Sequence, residues 1–158
     1  MNTVELLRYS LDTAFGILSQ VTADLTQEQI DWQPPGVVNT IGSTYSHILT
    51  YVDWFVQDLC IDQKPFPKSI ESATQEHGMR HVQADIVELQ ENAGAVWAKA
   101  QDWLSSLTPA DLDIIRNTTV GELSQGQMVD IYIIWHLNVH CGEISALKGC
   151  QGLKGYPF

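Results

Sequence analysis

Trp135-His136-Leu137-Asn138-Val139-His140-Cys141-Gly142-Glu143-Ile144 lies near the end of a long helical pattern, and the rest of the chain can be read outward from it. On a helix each residue advances about 100°, so residues four apart share a face. His136 and His140 therefore point the same way, and Glu143 falls close to His136 in angle, about two turns further on. The same stripe meets Val129 upstream and Leu147 downstream, both apolar. Two histidines thus interrupt a face that belongs in a core. Burying neutral imidazoles costs free energy unless they find partners. A hydrogen-bonded core histidine is one solution. A shared metal ion is another, because two histidines at i and i+4 can hold one cation. The motif is not the HExxH of zinc proteases, since Leu137 stands where their glutamate would be.

The pattern around this stretch predicts a fourth helix that begins at Ser124 to Gly126 and ends at Lys148, with Gly149 as the C′ residue. Upstream, Ile114 to Leu123 alternates only weakly and contains Gly121, and reads as a loop, with a short strand or turn as the alternative. A first helix spans about Thr3 to Ala23, with Val4, Leu7, Leu11, Ala14, Leu18 and Val21 at steps of three and four. Asn2 or Thr3 can cap it. A short turn at Leu25 to Gln29, capped by a threonine, precedes Trp32-Gln33-Pro34-Pro35-Gly36, where two prolines break any helix. The second helix runs from Asn39 or Thr40 to about Leu59, and the third from about His81 to Leu107, ended by Thr108-Pro109. Asp62 to His77 is loop-like and long for a bundle, which permits a crossover over the bundle's end. Four long helices without a convincing sheet predict an all-α protein, a four-helix bundle with a long crossover connection.

At 158 residues the chain is expected to form one domain, residues 1–158. No apolar run approaches the roughly 20 residues of a membrane span. The start, Met-Asn-Thr-Val-Glu, lacks the features of a signal peptide, so a cytoplasmic location is expected. A net charge of −11 without any basic cluster disfavours nucleic acid as a partner. Three cysteines without CxxC spacing argue against a disulfide framework.

His47 sits mid-helix at the edge of an apolar arc, with Thr44, Tyr51 and Trp54 on the same side. If the second and fourth helices face each other, three imidazoles converge, and three histidines with an open position are an arrangement that catalytic zinc uses. A histidine on the helix surface is the alternative. His77 and His81 form a rival pair, but Glu76, Gly78 and Arg80 make their surroundings polar, and exposure is expected. Cys141 points about 100° away from His140 and reads as a small buried residue. Tyr51 is placed to hydrogen-bond a water at such a site.

The order of one histidine in the second helix, then His136-x3-His140-x-Gly142-Glu143-Ile144 in the fourth, resembles the DinB-like superfamily. Trp32-x-Pro34-Pro35-Gly36 and the closing Leu147-Lys148-Gly149…Gly152…Gly155-Tyr156-Pro157 support the resemblance, which covers essentially the whole chain. That superfamily also includes thiol-dependent S-transferases and maleylpyruvate isomerases. The resemblance implies an up-down-down-up bundle, a divalent metal ion, commonly zinc or nickel, held by His47, His136 and His140, and a homodimer. Where the family often has His-Arg-Gly-Gln, this chain has His140-Cys141-Gly142-Glu143, which removes an anion contact. The leading expectation is a metal-dependent enzyme acting on a small-molecule substrate, as a thiol S-transferase with a low-molecular-weight thiol or as a hydrolase. Glu143 and Tyr51 are its expected catalytic residues, with Glu143 orienting a ligating histidine. A non-catalytic metal- or ligand-binding bundle and a plain helical interaction protein are the competing readings.

Overall fold

The computed structural model describes residues 1–36, 39–66 and 84–156. Helix α1 (Thr3–Thr22) starts where Asn2 accepts the Glu5 N–H and Glu5 accepts the Asn2 N–H, a reciprocal cap. Thr26 caps the short α2 (Gln27–Asp31) in the same way with Gln29. Helix α3 (Ile41–Trp54) is capped by Thr40 and continues into a π-helical segment, Phe55–Ile61. Helix α4 (Ile86–Ser105) starts later than the pattern predicts. Asp85 is extended, and its carboxylate accepts the N–H groups of Val87 and Glu88, so the helix begins after it. A 3-10 turn (Pro109–Asp113) follows.

Two further features depart from the sequence reading. The segment read as a loop forms a hairpin, β1 (Ile115–Thr118) against β2 (Gly121–Ser124), antiparallel, with Ile115 opposite Ser124 and Thr118 opposite Gly121. Only Leu123 of its strands packs against the core, and Ile115 and Val120 are exposed, so the alternation is weak. Arg116 ties the hairpin down by donating to the carbonyls of Leu59 and Lys64. The last helix is the second departure. Short α5 (Gln125–Val129) passes into a π-helical segment, Asp130–Trp135, and then into α6 (His136–Cys150). Its C′ residue is Gly152, not Gly149. Gly152 has φ +75°, its N–H reaches the Gly149 carbonyl, and the Leu153 N–H reaches that of Lys148. Those two bonds make a Schellman cap, which places Gly149 inside the helix.

Helix α1 packs against α4 and α6, and α3 packs against the same two from the opposite corner. The side-chain bonds give the directions. Asp12 accepts from Trp97 and Gln101, and Gln90 donates to the Thr22 carbonyl, so α1 and α4 run antiparallel. Asp53 pairs with Lys99 while Phe55, further along, meets Tyr132, just ahead of α6. Lys148, at the end of α6, reaches Val21 and Asp24 at the end of α1, so these two helices are parallel. The order is up, down, down, up. The connection between α3 and α4 bridges two parallel helices, which requires a crossover; most of it, with His77 and His81, lies outside the described residues. Leu11, Leu18, Ile48, Leu49, Leu104, Leu137 and Ile144 fill the centre. Among the described residues no helix is long and apolar enough to cross a membrane.

Candidate metal centre

The histidines lie where α3 packs against α6. His47 comes from the middle of α3. His136 is the first residue of α6, directly after the π-helical segment, and His140 lies one turn on. Because α3 and α6 are antiparallel, one histidine from the first fits between two from the second. The ring centroids of His47 are 5.0 Å from those of both His136 and His140, which are 4.5 Å from each other. One nitrogen from each imidazole can be chosen so that all three lie within 4.8 Å of one another. His47 is buried, deeper than the edge position the pattern suggests, and the other two are half-buried.

Burial, then the neighbouring imidazoles, push His136 down to about 2, so its ring is neutral at ordinary pH. Its Nε2 is buried and has no hydrogen-bond partner among the described residues. A neutral, buried imidazole with an unused nitrogen is what a metal ligand requires. Glu143 lies three residues after His140, and its Oε2 is 2.7 Å from His140 Nδ1. That bond holds the Glu143 carboxyl below its usual range, against the opposing effect of burial. With the carboxylate ionised, Nδ1 donates and the lone pair stays on Nε2. The sequence stripe paired Glu143 with His136 in angle; in space its partner is His140.

The model of one protein family, the DinB superfamily, matches residues 10–144. The chain belongs to the DinB superfamily. No curated protein matches it. The matched span contains all three histidines and ends one residue beyond Glu143.

In this DinB-superfamily chain Tyr51 lies one turn along α3 from His47 and stacks on His136, with centroids 4.2 Å apart and planes inclined by 23°. Burial, with a smaller contribution from Tyr132, drives its hydroxyl well above the usual phenol range, so it is a neutral donor at ordinary pH. Cys141 is buried and its thiol is pushed up to about 12, which suits a core residue and not a nucleophile. Cys60 is buried in the same state, and Cys150 is exposed.

Sequence reasoning missed two features, one of them beside the site. One is the aromatic chain of Phe55, Phe66 and Tyr132 beyond Tyr51. A period near 3.6 residues cannot report a π-helical turn, and both Phe55 and Tyr132 lie in one. The other is Lys148, which reads as an ordinary cation in a last helical turn yet is 2% exposed. It donates to the Val21 carbonyl at 2.8 Å and pairs with Asp24, whose carboxyl it holds below its usual range.

Proposed function

We propose that this protein is a divalent-metal-dependent enzyme acting on a small molecule, of the thiol S-transferase or hydrolase type. In this reading His47, His136 and His140 hold the ion. The observation that carries it is the convergence of three imidazoles from two helices, one with a buried and unpartnered nitrogen and one oriented by a carboxylate. Three imidazoles leave a position for substrate, and such a donor set suits zinc or nickel. The ion supplies Lewis acidity toward a water or a thiol.

The chain's own residues supply the rest. Glu143 fixes the His140 tautomer and, as a carboxylate behind the ring, stabilises charge on the ligating imidazole. Tyr51 excludes water over the face of His136 and offers an O–H to an oxygen that gains charge. We place the protein in the cytoplasm and read it as a homodimer. Ile131, Trp135 and Val139 recur every four residues and are exposed, which supports self-association.

Metal content after incubation of untagged protein with zinc or nickel, followed by dialysis, tests the reading. One equivalent is expected in the wild type. His47→Ala, His136→Ala and His140→Ala should each lower the content, since three ligands leave little redundancy, whereas His77→Ala and His81→Ala should not. Metal binding that survives in the trio variants and is lost in the other pair would move the site.

A further inference from the structure

The row of rings between α3 and α6 does not stop at the imidazoles. Tyr51, stacked on His136, meets Trp54 at 5.5 Å and Phe55 at 6.5 Å between ring centroids. Phe55 continues the series to Tyr132 at 5.3 Å and Phe66 at 6.4 Å, and Phe66 and Tyr132 are 5.8 Å apart. Phe55 forms a fully buried base, while Tyr51, Trp54, Phe66 and Tyr132 are half-buried around it. An aromatic wall thus runs from the histidines towards the hairpin end of the bundle.

Its polar groups are few. The Tyr132 hydroxyl is buried and has no hydrogen-bond partner among the described residues. A phenol kept from water with its donor unused is costly, and native proteins retain such groups where something else supplies the acceptor. Lys64, two residues before Phe66, pairs with Asp58 and Asp62, and Arg116 commits its guanidinium to the Leu59 and Lys64 carbonyls. The chain as a whole carries a net charge of −11. A polyanionic ligand finds nothing to hold it here, whereas a neutral carbonyl-type group finds donors.

We propose that Tyr132 is a ligand-positioning residue. The ligand it positions is an oxygen-donor molecule with at most one negative charge and an aromatic or similarly sized apolar body. One of its oxygens accepts from the Tyr132 hydroxyl, with the Tyr51 hydroxyl as a second donor, and its body lies along Trp54 and Phe66. This rests on reading the three histidines as a metal centre, because the ligand is anchored there by its head group.

The test compares two metal-chelating probes that differ only in their bodies, benzohydroxamate and acetohydroxamate. Each is titrated by calorimetry into zinc-loaded protein whose occupancy is measured by elemental analysis. The wild type should bind benzohydroxamate at least tenfold more tightly, from burial of the ring. Tyr132→Phe should weaken both probes about three- to tenfold at unchanged occupancy, the size of one lost hydrogen bond. Phe66→Ala should narrow the preference for the aryl probe and leave acetohydroxamate affinity in place. Loaded protein that binds both probes equally, or Tyr132→Phe within about twofold of wild type, overturns the inference and leaves the metal reading standing. Benzohydroxamate that binds as well after zinc removal overturns it too. A wild-type protein that takes up no zinc removes the metal reading, and this inference with it.

Discussion

Glu143 touches His140 and nothing else in the trio, so replacing it separates a ligand from a residue that orients one. The bond from His140 Nδ1 to Glu143 Oε2 is 2.7 Å, at the short end for a charge-assisted N–H···O contact. The carboxylate is one-third exposed, so solvent screens part of its charge. A carboxylate behind a ligating histidine typically contributes 10- to 100-fold in metal affinity, or about 1.4–2.8 kcal/mol. Glu143→Ala removes acceptor and charge together and should weaken zinc binding by about that factor. Glu143→Gln keeps an acceptor oxygen for Nδ1–H and loses only the charge, so a smaller loss of about three- to tenfold is expected. Both variants should still bind one equivalent of zinc at saturation. The assay is competition against a chromophoric chelator at fixed pH, with the metal-free stability of each variant measured in parallel. Stability should change by less than about 1 kcal/mol, since a pair partly open to solvent contributes little. Wild-type affinity in both variants would show Glu143 to be a bystander. Stoichiometry that falls as far as in His140→Ala would make it a ligand.

Further expectations concern the scaffold. Asp24→Ala leaves the buried Lys148 ammonium with only the Val21 carbonyl and should cost about 1–2 kcal/mol in chemical denaturation, whereas Lys148→Met removes the charge at similar volume and should cost less; the reverse order would refute this account of the pair. The metal-free protein should lose stability as pH falls below 6.5. His136 titrates in the unfolded chain near 6.5 but only at about 2 when folded, so between those values the unfolded state holds the extra proton. The loss should be about 1 kcal/mol between pH 7.5 and 5.5, and the depressed Asp24 and Glu143 carboxyls add to it only at more acid pH. Denaturation midpoints that rise on acidification would contradict this. Gly149→Ala should stabilise by about 0.5–1 kcal/mol, because Gly149 is helical with nothing within 4 Å of an added Cβ. Gly152→Ala should destabilise by about 1 kcal/mol, because φ there is +75°. Thermal melts with the opposite signs would place the helix end at Gly149.

What the chain determined by itself is what depends on local periodicity. The spacing of Val4, Leu7, Leu11, Ala14, Leu18 and Val21 in α1, and of Ile41, Tyr45, Ile48 and Val52 in α3, specifies amphipathic helices whatever they pack against. Caps such as Asn2, Thr26 and Thr40 act within one turn and are legible for the same reason. His136 and His140 share a face because the helix repeats every 3.6 residues, so the oddity of the stripe was visible too. Only the tertiary structure brings His47 to within 5.0 Å of both, because that depends on α3 lying antiparallel to α6 across a crossover. Only it chooses His140 as the partner of Glu143, since rotamers decide between positions of similar angle. The π-helical segments, the hairpin and the buried Lys148 were illegible for one common reason. Each is stabilised by contacts between residues far apart in sequence, Phe55 with Tyr132, Arg116 with Leu59, and Lys148 with Val21, and no local pattern encodes a partner that distant.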